Sequence, residues 1–220
     1  MRKKSRIVES NQSGVHTRLA ETVQKHLLHP FQRPIAQHSK TTFEEVQREI
    51  SAAQNPLVLD SCCGVGDSSR TLAKIYPDHL VIGVDKSAHR LGKERIAPQP
   101  ENLILVRADL NDFYRLAAEE GWRLERHYML YPNPWPKAAH LGRRWHGAPV
   151  FPDMLRIGGV LELRSNWRLY LEEFQIALEI AGHASTLQPF KPGDFLTAFE
   201  KKYAESGQPL WQLVCDVAAP

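Results

Sequence analysis

The stretch that decides the fold covers residues 57–85 and reads LVLDSCCGVGDSSRTLAKIYPDHLVIGVD. Its apolar beginning predicts a buried strand. Gly64 and Gly66 predict a sharp turn into the amphipathic stretch that follows, which predicts a helix. A second apolar run predicts another strand that ends at Asp85. This order indicates a parallel pair of strands, and ligands bind such sheets at the carboxyl ends of the strands.

The alternation of strands and helices continues along the chain. Further strands are predicted at 103–106, 127–130, 159–163 and 211–217, and further helices at 88–96 and 170–181. We therefore expect an α/β fold with a mostly parallel sheet and helices on both faces.

The first part of the chain has a different pattern. We expect residues 1–52 to be an N-terminal helical and basic extension, and residues 53–220 to form the α/β domain. Apolar residues at four-residue intervals predict an amphipathic helix over 15–27, and a second helical pattern covers 43–50. The basic residues of the extension cluster at its start, at Arg2, Lys3, Lys4 and Arg6.

Composition excludes several classes of protein. No apolar run in the 220 residues approaches the roughly 18–20 residues that span a bilayer, so no membrane partner is expected. The three cysteines form neither a disulfide framework nor a zinc spacing, which predicts a cytoplasmic protein without a metal. The net charge of +3 is too small to prove a nucleic-acid partner. A second basic cluster, with Lys137, His140, Arg143 and Arg144, could nevertheless bind phosphates.

The polar residues at the predicted carboxyl edge suggest a cofactor. A glycine turn followed about 20 residues later by a carboxylate such as Asp85 serves nicotinamide dinucleotides and S-adenosylmethionine alike, because both contain a ribose. Three details favour S-adenosylmethionine. Ser69 replaces the third glycine of the dinucleotide pattern. Asp60 could receive an ammonium but would repel a diphosphate, and Asp109 could accept from an adenine amino group.

We therefore predict a Rossmann-like class I methyltransferase with a mostly parallel seven-stranded sheet. The residues expected to contact S-adenosylmethionine are Asp60, Cys62, Gly64, Gly66, Asp85, Lys86, Asp109, Leu110 and Asn133.

The segment after the fourth predicted strand carries a more specific pattern. It reads Tyr131-Pro132-Asn133-Pro134-Trp135-Pro136-Lys137 and is followed by His140 and Arg143-Arg144. It resembles the Pro-Asp-Pro-Trp-Pro-Lys motif and basic run of the bacterial tRNA (guanine-N7)-methyltransferases. Two later segments, Ser165-Asn166-Trp167 and Thr197-Ala198-Phe199-Glu200, are similar to that family's Thr-Asp-Trp and Thr-x-Phe-Glu segments. The resemblance covers about residues 57–216.

The resemblance implies methyl transfer to N7 of a guanine in the variable loop of tRNA. The expected partner is tRNA, and the expected oligomeric state is a monomer or a homodimer. It implies that Asn133, Trp135, Lys137, Asn166, Thr197 and Glu200 form the catalytic site, with Glu200 reading the guanine edge. It also implies that Lys137, His140, Arg143 and Arg144 bind RNA. N7 carries a free lone pair, so no general base is needed, and placing the reacting atoms in line supplies most of the catalysis.

The chain departs from the family pattern at three positions. Asn133 and Asn166 replace two aspartates, which removes negative charge from a site that meets a developing cation. An amide can still hydrogen-bond a base edge. Cys62 replaces the usual first glycine of the cofactor loop.

Two other functions remain open at this stage. Asn133-Pro134-Trp135 also resembles the Asn-Pro-Pro-aromatic motif of methyltransferases that act on an exocyclic amino group or a protein amide, although it has one proline fewer. The third possibility is a catalytically weak RNA-binding protein that retains the cofactor pocket.

Overall fold

The computed structural model describes residues 5–93 and 98–217. In these ranges the strands are β1 (Leu57–Ser61), β2 (Leu80–Asp85), β3 (Leu103–Arg107), β4 (Leu124–Leu130), β5 (Gly159–Ser165), β6 (Ser185–Phe190) and β7 (Leu210–Val217). The helices are α1 (Leu19–Leu28), α2 (Gln37–Ala53), α3 (Asp67–Ile75), α4 (Ala88–Leu91), α5 (Leu110–Glu119), α6 (Phe151–Arg156), α7 (Arg168–Ile180) and α8 (Ala198–Glu205). Two short 3-10 helices, Ala138–Arg143 and Trp145–Gly147, lie between β4 and α6.

The strands form one seven-stranded sheet in the order β3-β2-β1-β4-β5-β7-β6. The first five strands of this order are parallel, and β7 pairs antiparallel with both β5 and β6. The predicted Rossmann-like, mostly parallel sheet is therefore confirmed. Because β1 lies between β2 and β4, with Ser61 opposite Val84 and Met129, the loops after these three strands meet at one edge.

The sequence pattern did not reveal β6. Its residues alternate between half-buried and exposed, and Pro189 interrupts the run. A proline lacks the amide hydrogen that a central strand donates, but it is tolerated here because β6 is an edge strand.

Both N-terminal helices pack into the same hydrophobic core as the sheet. Leu19 and Val23 of α1, and Phe43 of α2, are buried in it, and the Phe43 ring stacks on Trp122 with 5.2 Å between centroids. The predicted division between residues 52 and 53 lies at the end of α2. The buried residues of α1 and α2 show that the extension packs directly against the α/β domain.

Some predicted bounds differ from the structure. The first helix begins at Leu19 instead of residue 15, because residues before it bond to side chains elsewhere in the chain. The helix predicted over 88–96 is described only as Ala88–Leu91, and residues 94–97 lie outside the described ranges. Arg2, Lys3 and Lys4 also lie outside them. No helix in the described chain is long and apolar enough to cross a membrane.

Candidate active site

The loop between β1 and α3 adopts left-handed backbone conformations. Cys62, Gly64 and Gly66 have φ values of 62°, 63° and 78°. A left-handed conformation costs a non-glycine residue of order 1–3 kcal/mol, which explains why a glycine is usual where this chain has Cys62. A Cβ atom on Gly64 would meet no heavy atom within 4 Å, so the backbone there borders open space that a ligand can approach.

Asp60 is the residue before the last of β1, next to this loop, and is almost fully buried. Its Oδ2 accepts hydrogen bonds of 2.6 Å from both Ser68 Oγ and Ser69 Oγ on α3. Its Oδ1 is buried with no hydrogen-bond partner among the described residues. Burial raises the pKa of Asp60 to about 6, although the two serine hydrogen bonds lower it. A buried carboxylate oxygen without a donor is a ready acceptor for a positively charged ligand group.

Ser69, which stands at the position of the missing third glycine, has a structural role that the sequence did not reveal. A Cβ atom on Gly83 of β2 would lie 2.3 Å from Ser69 Oγ. In this contact the glycine lies on the strand instead of the helix. Ser69 of α3 bonds to Asp60, and Gly83 of β2 has no side chain that would clash with Ser69.

Asp85 lies at the end of β2, as predicted, and its side chain is buried. Its Oδ2 accepts from Gly64 N at 3.1 Å and from Arg90 Nη1 at 3.0 Å, and its Oδ1 accepts from Ser87 N at 2.8 Å. The carboxylate therefore links the glycine loop to α4. Half of the Arg90 side chain is exposed, so this partner can move away without disturbing the core.

Asp109 follows β3 and caps α5, with its Oδ1 accepting from Asn111 N at 2.9 Å. Its Oδ2 lies 3.5 Å from Arg33 Nη2. Asp109 and the exposed Lys86 line a cleft of about 620 Å³ that runs between α2 and the exposed side of β3. Leu110 is buried behind it.

The segment after β4, residues 131–137, is called the acceptor loop here. Tyr131 and Trp135 have φ values of 51° and 46°, so the loop contains two of the four non-glycine residues with left-handed backbone in the described chain. Asn133 Oδ1 accepts from Trp135 N at 3.2 Å. Such strained residues gather at functional sites and persist only where surrounding contacts hold them.

Basic residues surround Trp135. The Arg143 guanidinium lies over the indole, 4.8 Å from its centroid, and the His140 ring meets it edge-on at 5.5 Å. Lys137 and Arg143 are exposed, and His140 is half-buried. The Arg143 guanidinium thus covers one face of the indole. Lys137 and Arg143 are both exposed, so they can still bind phosphates.

Glu200 has protein partners in this structure. The carboxylate is fully buried, and its Oε1 accepts from Arg164 Nη1 at 2.9 Å and from the Tyr131 hydroxyl at 3.1 Å. Its Oε2 accepts from Leu196 N at 2.8 Å. Arg164 of β5 is nearly buried and pairs with Glu162 as well. The contact of Glu200 with a guanine edge stays a prediction.

Thr197 caps α8 by accepting from Glu200 N at 2.9 Å. Asn166, half-buried after β5, donates from Nδ2 to Gln208 Oε1 at 2.8 Å. Both residues reach the edge that carries the acceptor loop, and both contact protein groups in this structure.

Arg144 lies inside the protein in this structure. Its side chain has no exposed surface and forms an ion pair with Glu173 of α7, which is equally buried. Its donors face the protein interior, so contact with an RNA phosphate stays a prediction and would require this side chain to move.

A buried cluster below the glycine loop was not predicted at all. Ser61 Oγ lies 2.9 Å from His127 Nε2 and accepts from the Tyr114 hydroxyl at 2.7 Å. Burial lowers the pKa of His127 to about 3, so the ring is neutral near pH 7. The cluster joins β1, β4 and α5 where the two loops begin. A histidine inside an apolar strand gave no sequence signal of these partners.

A protein-family model described as "Putative methyltransferase" matches residues 54–213. The tRNA (guanine-N(7)-)-methyltransferase of Marinobacter nauticus is 31% identical over 180 residues, which cover 76% of this chain and 75% of that protein. The enzyme of the same name from Alkaliphilus oremlandii is 25% identical over 209 residues, covering 88% of this chain and 95% of that protein.

Two solved structures have a similar fold. A variant of the 16S rRNA (adenine(1408)-N(1))-methyltransferase from Catenulisporales acidiphilia, solved with its cosubstrate SAM, aligns with a TM-score of 0.57 at 16% identity. It covers 81% of this chain and 92% of that one. The 16S rRNA methyltransferase KamB aligns with a TM-score of 0.57 at 17% identity, over 80% and 94% of the two chains.

The sheet order, with its antiparallel β7, and the glycine loop at the carboxyl edge define a class I methyltransferase fold. Within this class, the family match and the relatives place the chain more closely. It belongs to the tRNA (guanine-N7)-methyltransferase family.

Proposed function

We propose that this protein transfers a methyl group from S-adenosylmethionine to N7 of a guanine in the variable loop of tRNA. The observation that carries the proposal is the meeting of two strained loops on neighbouring parallel strands. The loop after β1 follows Asp60, whose Oδ1 has no hydrogen-bond partner in the part of the chain that the structure describes, and the acceptor loop follows β4 at the same edge.

The residues at this edge fit the cofactor. Asp60 Oδ1 would accept from its ammonium group, Gly64 would leave room beside its methionine part, and Asp85 would bind the ribose hydroxyls. A Cβ atom on Gly66 would lie 3.0 Å from Leu105, so Gly66 would border the cofactor through its backbone and let the loop pack on Leu105. Asp109 would accept from the adenine amino group. The remaining predicted contacts, Cys62, Lys86, Leu110 and Asn133, would border these groups. When bound, S-adenosylmethionine supplies a methyl group activated by a positively charged sulfur.

The acceptor loop fits a nucleophile that needs no deprotonation. Residues 131–137 contain no carboxylate or histidine, and the Tyr131 hydroxyl is already bonded to Glu200. Guanine N7 needs no general base, so the loop has only to position the ring and shield it from water. Trp135 would bound the base, and Lys137 and Arg143 would bind RNA phosphates, with His140 beside them.

Transfer to an exocyclic amino group is disfavoured by the family relationship. That reaction requires the asparagine oxygen to accept from the substrate amine. Asn133 Oδ1 accepts from Trp135 N and keeps a second lone pair, so the geometry alone does not decide between the two reactions.

The proposed location of the protein is the cytoplasm. Cys62, Cys63 and Cys215 are free thiols, consistent with the cytoplasm, where tRNA is modified. The proposed oligomeric state is a monomer or a homodimer.

The direct test is nucleoside mass spectrometry of tRNA from a strain that lacks this gene. We expect 7-methylguanosine to disappear, to return with the wild-type gene and to stay absent with Asp85→Ala. Unchanged 7-methylguanosine would overturn the proposal, and loss of a different methylated nucleoside would instead support the amino-group reaction.

A further inference from the structure

The buried guanidinium of Arg144 connects the acceptor loop to two distant parts of the chain. Its Nε donates to the carbonyl of Trp135 at 3.2 Å, and its Nη2 donates to the carbonyl of Lys137 at 3.3 Å. Nη2 also donates to Gln12 Oε1 at 3.0 Å, and Nη1 pairs with Glu173. A single side chain thus holds one of the two left-handed residues of the loop, Trp135, and Lys137, which ends the loop.

Glu173 bonds to Arg144 and, like Arg144, to the side chain of Gln12. Its Oε1 accepts from Gln12 Nε2 and from His16 N, the latter at 2.8 Å. Its Oε2 accepts from Arg144 and lies 3.2 Å from His146 Nε2. Burial alone would raise the pKa of Glu173, but the hydrogen bonds from His146 and from His16 N, together with the positive charge of Arg144, outweigh it and lower the pKa. The carboxylate is therefore ionised opposite Arg144.

Residues 5–16, called the N-terminal strap here, run along the acceptor edge. Ser10 Oγ donates to the carbonyl of Pro136, and Asn11 Oδ1 accepts from Ala138 N at 3.0 Å. Gln12 contacts the side chain of Arg144. Three consecutive strap residues therefore bond to the acceptor loop or to residues 138–144 that follow it.

The beginning of the strap is anchored at the other end of the edge. Ser5 N donates to Ser206 Oγ at 3.0 Å, and Gln208 Nε2 donates to the carbonyl of Ser5 at 3.0 Å. Gln208 also holds Asn166. The strap therefore links the segment after α8, Asn166, the acceptor loop and α7, which are far apart in sequence.

We propose that Arg144 and Glu173 are positioning residues for methyl transfer, and that they use the N-terminal strap to fix the acceptor loop before RNA binds. Two observations argue against a role in fold stability alone. A buried ion pair is weak grounds for stability, because desolvation offsets its attraction. Moreover, the remaining donors of Arg144 bond to loop carbonyls and a strap side chain, including the carbonyl of the left-handed Trp135.

Hydrogen exchange of the full-length protein without RNA tests the loop directly. We expect Arg144→Lys and Gln12→Ala to raise amide exchange in residues 131–138 and 10–16, and to leave the strands unchanged. The matched control is Glu172→Gln, since Glu172 neighbours Glu173 on α7 but pairs with Arg168 at the surface. Unchanged exchange at 131–138 in both variants would overturn the proposal. If Arg144→Lys does not fold, the exchange of Gln12→Ala alone tests the proposal, because Gln12 is only half-buried and its substitution leaves the core intact.

A kinetic test rests on the proposed function. We expect both variants to lower kcat for tRNA methylation by about ten- to a hundredfold, because small misplacements of reacting groups are costly. Cofactor affinity, measured by calorimetry, should stay unchanged. A higher KM with unchanged kcat and unchanged exchange would overturn the proposal and return Arg144 to phosphate binding. A wild-type protein without guanine-N7 activity would refute the proposed function only, since the exchange result does not depend on it.

Discussion

Arg90 Nη1 lies 3.0 Å from Asp85 Oδ2, so the carboxylate proposed to bind the ribose has a cationic partner in this structure. The pair is unequal: Asp85 is buried, while half of the Arg90 side chain is exposed. We infer that Arg90 keeps Asp85 oriented and is displaced when ribose hydroxyls bind.

Asp85→Ala should abolish measurable binding of S-adenosylmethionine. Hydrogen bonds to a charged acceptor contribute about 1.5–3 kcal/mol each, so losing two to the ribose lowers affinity at least a hundredfold. Isothermal titration calorimetry measures this, with circular dichroism to confirm folding. Wild-type affinity in the folded variant would remove Asp85 from the cofactor site.

Arg90→Ala is the matched variant for the same pair. It should leave cofactor affinity unchanged or increase it a few-fold, because Asp85 then has one competing partner fewer. A large loss of affinity in Arg90→Ala would show that Arg90 itself contacts the cofactor.

Cofactor binding should weaken as pH falls below about 6. In the free protein Asp60 has a pKa raised to about 6, chiefly by burial, whereas a bound ammonium favours the carboxylate. Binding below that pH must therefore release a proton, and affinity falls by up to about tenfold per pH unit. Above pH 6 the carboxylate is already ionised, and affinity should level off. The neighbouring Cys62 thiol, whose pKa burial raises to about 12, stays protonated throughout.

Calorimetry between pH 5 and 8 provides the measurement, and Asp60→Asn provides the control. The variant should bind more weakly at every pH and lack the dependence. Constant wild-type affinity from pH 7.5 to 5 would contradict direct contact between Asp60 and the ammonium.

Asn133→Asp should maintain or raise guanine-N7 transfer. An aspartate can accept from Trp135 N as Asn133 does, so the turn that shapes the acceptor loop is preserved. The added negative charge would stabilise the positive charge that develops on the guanine ring. The readout is the initial rate with purified tRNA and labelled cofactor. Complete loss of activity in a folded variant would show that the amide itself is needed and would favour the amino-group reaction.

Glu200→Gln should destabilise the protein by about 1–3 kcal/mol, because the nearly buried Arg164 loses one of its two carboxylate partners and keeps only Glu162. Thermal unfolding measures the loss. Glu205→Gln on the same helix is the control and should change stability by less than about 1 kcal/mol, as its 3.9 Å contact with Lys201 is largely exposed. A stable Glu200→Gln protein that had lost only activity would support the direct catalytic role predicted from sequence.

Much of the cofactor half of the site could be predicted from local sequence. Asp60, Gly64 and Asp85 lie where the pattern of strand, turn and strand placed them, because each position depends on a short segment and on the parallel pairing of β1 and β2. The departure at Cys62 was also visible, and its φ of 62° supplies the physical reason. The acceptor loop could be located, but its left-handed residues could not be foreseen.

The acceptor half was harder because its contacts join distant segments. Glu200 and Arg144 were assigned to substrate from a motif and a charge run. Their partners, Arg164 and Glu173, are 36 and 29 residues away. A charged residue in a basic run looks the same in sequence whether it is exposed or buried, and only the packing of α7 and α8 decides.

By itself the sequence determined the α/β class, the edge of the sheet that binds ligands and the family resemblance, since these depend on periodicity and on motifs within single segments. Tertiary structure alone decided which charges face a substrate and which are buried between helices. It also showed that the N-terminal strap bonds to the acceptor loop, because hydrogen bonds between residues more than a hundred positions apart, such as Gln12 and Arg144, leave no local pattern.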